Sequence, residues 1–174
     1  MPIEFDIKLA AKDMFRFNMY QTYTSFSGWS SIIFSIAMFG LAGYTGYTHG
    51  EAALSNIVMY AMVGVLLLVY MPITLRLRAG QSIKASPVLS NTLHYHVDGD
   101  GFTVTQGEAN GVLAWKQIYK MVATKHLVLV YSNRINAYVI PRTQLGEHYV
   151  PLAKLATDKL PKFRVRMKVT IKDV

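Results

Sequence analysis

Between Phe17 and Gly50 the chain carries no Asp, Glu, Lys or Arg, and after Glu51 none recurs until Arg76. These runs contain "WSSIIFSIAMFGLAGYTGYT" and "NIVMYAMVGVLLLVYMPITL". Each is about 20 residues long, the length of helix that crosses a hydrocarbon core of roughly 30 Å. A helix of a soluble protein usually needs a polar face, and neither run shows one. The expectation is two transmembrane helices, at 27–48 and 55–75, joined as a hairpin.

Charge is distributed unevenly around these runs. The formal net charge is +8, yet residues 1–28 balance, with Lys8, Lys12 and Arg16 against Glu4, Asp6 and Asp13. From Arg76 onward there are fifteen Lys and Arg against six Asp and Glu. The connector "HGEAAL" has no Lys or Arg. The positive-inside rule then places the connector outside and both termini in the cytoplasm. Basic charge that borders a membrane span is explained by anionic lipid, so the partner expected is the bilayer and not nucleic acid. Arg76, Arg78 and Lys84 adjoin the second span and are the residues expected to meet lipid headgroups. The sequence has no cysteine, which excludes a disulfide framework and a cysteine metal site. Gly40, Gly43 and Gly46, with Ala42, make one slim region on the first span. Small residues let backbones approach, so the region is expected against the second helix of the hairpin, with a homo-oligomer as the alternative.

The rest of the chain reads as four segments: 1–26, a strand followed by an amphipathic juxtamembrane helix; 27–75, the hairpin; 76–91, a linker; and 92–174, a cytoplasmic domain. "IEFDIKL" alternates apolar and polar residues with the period of a half-buried strand. After the linker, turn signals recur at short spacing. "TLHYHV", "FTVTQ", "VLAWKQIYKMVATK", "HLVLVYS" and "AYVIPR" read as strands, the third long enough to bend. "EHYVPLAKLATDKL" reads as a helix and "FRVRMKVTIK" as a final strand with one cationic face. Glu4 and Asp6 on the first strand complement Arg164, Arg166 and Lys168 on the last. Ile3–Leu9 is therefore expected to pair mainly with Phe163–Lys172, in the antiparallel sense before the parallel, the alternative being that the cationic face meets lipid headgroups.

The string most like a catalytic site is "HYHVDGD". His94, His96 and Asp98 share one strand face, and imidazole with carboxylate can bind zinc or iron. Three ligands two residues apart on a strand span a line too long for one ion, and Asp-Gly-Asp-Gly is ordinary turn chemistry. No nucleophile elbow is present, and "GEANG" lacks the ending of a phosphate loop. The expectation is no metal, no cofactor and no catalytic residue.

The hairpin followed by "LHYHVDGDGFTVTQGEANGVLAWKQIYKMVATKHLVLVYSNRINAYVIPR" resembles the YcxB-like family of bacterial membrane proteins. The resemblance rests on the "LHY" strand, the "DGF.V" turn and strand, "LAWKQIYK", "LVLVY" and "AYVIPR" before a helix. It implies a bacterial inner-membrane location and an α+β membrane protein whose second domain is a pleckstrin-homology-like small barrel closed by a C-terminal helix. It implies no defined reaction. Trp115, Pro141 and Arg142 match family-typical positions as structural markers. The function expected is a non-enzymatic membrane protein that presents a binding or scaffolding domain, with a membrane-protein partner as a possible target. The alternative is a transport subunit or a membrane metal enzyme using His94, His96 and Asp98.

Overall fold

The computed structural model describes residues 2–86 and 91–168, apart from the side chains at 27 and 51. The fold is α+β, with two long apolar helices and two four-stranded sheets. It divides into two compact units, Asn18–Ala79 and the combination of Met1–Phe17 with Gly80–Val174.

The first unit is the helical hairpin. Helix α2 spans Phe26–His49, and a short 3-10 turn at Gly50–Ala53 leads into α3, Leu54–Ala85. α2 stops because Gly50 adopts a φ of 56°, a conformation open to glycine, and its N–H donates to the Gly46 carbonyl. The two helices touch where small residues permit. The Ser35 hydroxyl donates to the Gly64 carbonyl at 2.8 Å. A Cβ on Gly64 would sit 3.1 Å from the Phe39 ring, and one on Gly46 would meet Ile57 at 3.6 Å. The glycine stripe is thus only partly used: Ala42 is buried and Gly46 faces α3, but nothing lies within 4 Å of a Cβ at Gly40 or Gly43. The reason is helical period. Contact passes through Ser35, Phe39 and Gly46, at spacings of four and seven, and residues 40 and 43 fall beside that line. Phe34, Ile36, Met62 and Leu66 point outward and are exposed. Helix α3 extends beyond Leu75: it runs through Pro72 and carries Arg76, Arg78 and Lys84 as exposed helical residues.

The second unit is built around the two sheets. Strand β1 (Ile3–Lys8) leads to helix α1 (Ala11–Tyr23), whose first turn is held by Asp13. The Asp13 carboxylate accepts the Ala10 N–H at 3.2 Å, one half of a capping box. After α3 come β2 (Thr92–Val97), β3 (Gly101–Gln106), β4 (Ala109–Ala114), β5 (Lys120–Ala123), β6 (Leu127–Tyr131) and β7 (Ala137–Pro141). Helices α4 (Arg142–Leu145) and α5 (Tyr149–Lys159) follow, then β8 (Val165–Arg166). One sheet has the order β1-β2-β3-β4 and the other β7-β6-β5-β8. The expected bend in the third strand is a break, a 3-10 turn at Trp115–Gln117 that carries the chain from one sheet to the other. The described strands do not close into a barrel, which corrects that part of the fold expectation. α5 buries Tyr149, Leu152, Ala153 and Ala156, one stripe at helical spacing.

Among the described residues the chain's ends do not pair with each other. β1 pairs antiparallel with β2, from Ile3↔Val97 to Lys8↔Thr92. β8 is short and pairs parallel with β5, through Met121↔Val165 and Val122↔Arg166. The cause is local: Pro161 leads into a 3-10 turn at Lys162–Arg164, so the alternating segment is not one extended strand, and Phe163 is exposed. Arg164 donates to the Ile118 carbonyl at 3.4 Å, and the Lys168 carbonyl accepts the Tyr149 hydroxyl at 2.8 Å. Residues 169–172 of the expected strand lie outside the described residues.

Candidate functional site

Glu4 and Asp6 meet histidines, not arginines. Register places Glu4 opposite His96 and Asp6 opposite His94. His94 Nδ1 lies 2.7 Å from Asp6 Oδ1, and His96 Nδ1 lies 2.8 Å from Glu4 Oε1. His96 Nε2 is also 3.6 Å from Asp98 Oδ2. The string "HYHVD" thus forms a cross-strand ladder on the polar face of the first sheet, in which each imidazole has its own carboxylate. No group of three His, Asp or Glu among the described residues is arranged to hold one metal ion.

Asp98 has a separate structural task. Its Oδ1 accepts the N–H of Asp100 at 2.9 Å and of Gly101 at 3.1 Å, forming the β2–β3 turn. These backbone donors hold the Asp98 carboxyl below its ordinary range against an opposing desolvation, with a lesser contribution from His96. The unfolded chain therefore binds this proton more tightly than the folded one, so the stabilisation is present above the ordinary aspartate value of about 3.9 and is lost as pH falls below it. Replacing Asp98 with Asn keeps an acceptor oxygen but removes the charge. Urea unfolding across about pH 2.5–6 should show the parent losing more stability in acid than D98N.

Trp115 fixes the same turn from below. Its indole N–H donates to the Asp98 carbonyl at 3.0 Å, its backbone N–H donates to the Asp100 carbonyl at 3.2 Å, and its ring meets Phe102 edge-on at 5.2 Å. Arg142 lies over the Tyr149 ring at 4.1 Å, and its N–H donates to the His126 carbonyl. Pro141 ends β7 opposite Leu127. His126 is held below its ordinary value by desolvation and by the cations of Arg16 and Lys125.

Residues 97–152 match the YcxB-like protein family model. The YcxB-like segment runs from the last residue of β2 into α5 and contains Trp115, Pro141 and Arg142. It leaves out β1, both long helices and β8. No curated protein and no solved structure matches the chain.

The feature that the sequence did not signal is a cavity of about 460 Å³ in the sheet unit, partly within the YcxB-like segment. Leu93, Tyr95 and Val104 of the first sheet form one wall, residues 109–111 and 137–139 form others, and Met14 of α1 contributes from the side. None of the described residues lining it is charged. Tyr95 is 1% exposed and stacks on Phe5 at 5.3 Å, with ring planes 9° apart. Its hydroxyl is the one buried side-chain polar atom left without a hydrogen-bond partner among the described residues. Burial first, and Tyr138 second, push the Tyr95 phenol up, so it stays a neutral donor. A buried donor left unsatisfied costs about 1–3 kcal/mol, a cost that packing alone gives no reason to keep. A second cleft of about 560 Å³ lies between β1 and α5, where Glu4, Lys154 and Asp158 make its rim charged.

Arg76, Arg78 and Lys84 do not form a cluster. Arg76 and Arg78 are two residues apart on a helix of 3.6 residues per turn, which sends them to nearly opposite sides.

Proposed function

We propose that this is a two-span protein of the bacterial cytoplasmic membrane. It carries a non-enzymatic binding unit on the cytoplasmic face, with both termini on that side. The observation that carries the reading is the β1–β2 ladder. Its strands flank the two apolar helices in sequence yet share one sheet, which supports two crossings over a single one. The spans themselves are supported by length and composition: Gly28–His49 and Leu54–Ala85, of 22 and 32 residues, are apolar enough to cross a bilayer. At 1.5 Å per residue α3 is about 48 Å long, well beyond a hydrocarbon core of roughly 30 Å. Its surplus length carries Arg76, Arg78 and Lys84, which in this reading meet anionic headgroups. The side is set by the excess of Lys and Arg after Arg76 and their absence from the connector.

The metal-enzyme alternative has little support in the geometry, since His94 and His96 are engaged by separate carboxylates. A membrane-protein partner or a second copy packing at Gly40 and Gly43 remains part of the proposal as the binding unit's context.

The chain has no native cysteine, so single cysteines at Ala52 and Arg134 report topology directly. On intact cells an impermeant thiol reagent should label position 52 and spare 134. Labelling at 134 without 52 contradicts the orientation.

A further inference from the structure

We propose that the cavity beneath the first sheet binds one uncharged, single-chain amphiphile drawn from the bilayer. The chain lies among Leu93, Val104 and Val139, and the Tyr95 hydroxyl donates to the ester carbonyl. This rests on the membrane reading above. Four observations specify the ligand. The volume, about 460 Å³, lies toward the low end of the roughly 300–1,000 Å³ of small-molecule sites, which suits one medium acyl chain and its ester. A two-chain phospholipid is larger and charged. None of the described lining residues is charged, so a buried phosphate, ammonium or carboxylate would find no counter-ion. The lining is mainly apolar, which favours a hydrocarbon tail. Finally, Tyr95, a lining residue, carries a buried neutral hydroxyl donor with no acceptor among the described residues, and an uncharged carbonyl oxygen is the complementary group. Gln106, Asn110 and Tyr138 add polar groups to the lining, where a glycerol end can hydrogen-bond. Met14 belongs to α1, which ends at Tyr23, just before α2 begins at Phe26. Along the chain, the cavity wall therefore leads directly to the first span.

The test uses the full chain in nanodiscs, methyl-labelled for NMR, titrated with monodecanoylglycerol. The expected result is saturable shifts at Met14, Val104 and Val139 below the concentration at which the lipid aggregates, with Val128 and Leu152 unmoved. Two variants separate the cavity from a surface effect. Tyr95→Phe keeps the ring and should fold at least as stably as the parent, while weakening binding by about three- to tenfold, the loss of one neutral hydrogen bond. Gly111→Leu fills the space from β4; a Cβ there meets nothing closer than the Val104 carbonyl at 3.9 Å. It should fold and abolish the shifts. No saturable shift in the parent, or equal affinity in Tyr95→Phe, overturns the proposal. So does equal binding of dodecyl phosphate, or of a leucine-rich peptide, which would make the occupant an anion or a protein. Failure here with the cysteine labelling pattern intact removes the ligand assignment and leaves the membrane topology standing. Reversed labelling with the titration intact removes the topology and leaves the cavity a lipid site.

Discussion

Deleting residues 2–9 unfolds the sheet unit. These residues contribute Ile3, Phe5, Ile7 and Leu9, all buried, along with the whole β1 ladder on β2. Fully burying a large apolar side chain stabilises by about 1.5–3 kcal/mol, so the four together supply roughly 6–12 kcal/mol as an upper bound. That is comparable to the entire stability of an ordinary domain, about 5–15 kcal/mol. Deletion also exposes the inner edge of β2 and removes the ring on which Tyr95 stacks. In addition, the backbone of Lys8 loses its two bonds to the Gln144 side chain, at 2.8 and 2.9 Å, which tie β1 to α4. The deleted chain should lose protease resistance and cooperative melting in residues 92–168 while α2 and α3 stay helical. A melting point within a few degrees of the parent's would mean that β1 is an accessory strand.

Trp115→Ala is the point substitution expected to cost most, at about 3–5 kcal/mol. Its ring is 5% exposed and packs on Phe102, so truncation opens a large gap where the chain passes between the sheets. The loss also orphans the Asp98 carbonyl, the acceptor of the indole N–H. Two effects then act on one turn, so the β2–β3 connection should become mobile before the rest of the unit. Trp115→Phe retains a ring, loses the indole hydrogen bond at about 0.5–1.5 kcal/mol, and leaves a smaller gap than Ala does. Chemical denaturation of the three proteins measures both quantities. Equal destabilisation by Ala and Phe would assign the whole effect to the indole N–H and none to packing.

What the sequence exposed was periodicity. The two uncharged runs, apolar over every turn, are the two long helices α2 and α3. Alternation in "IEFDIKL" marked a strand and its buried face correctly, since Ile3, Phe5 and Ile7 are the buried set. Alternation does not name a partner. Glu4 and Asp6 suggested the cationic segment at the other end of the chain, yet they pair with His94 and His96, residues that had been weighed only as metal ligands. An imidazole across a strand can also hydrogen-bond a carboxylate, and composition cannot choose between it and an arginine. The final strand was overread because Pro161 and the following 3-10 turn interrupt it. Pro72 and the charges at 76 and 78 read as the exit from an apolar span, and they do not end the helix, which runs on to Ala85. The cavity had no signature at all. Tyr95 sits in "HYH" like any core aromatic, and whether its hydroxyl meets an acceptor depends on β7, more than 40 residues away in sequence.

The central claim is that the hairpin is an insertion within a sheet unit that is assembled from both sides of it. The direct measurement is the folding of a chain in which residues 18–79 are replaced by a flexible glycine–serine linker, expressed without detergent. The account predicts a monomer that melts cooperatively, with dispersed amide resonances and cross-strand contacts between Phe5 and Tyr95. An aggregated or non-cooperative protein, or a folded one in which residues 3–8 make no contact with 92–97, would contradict it.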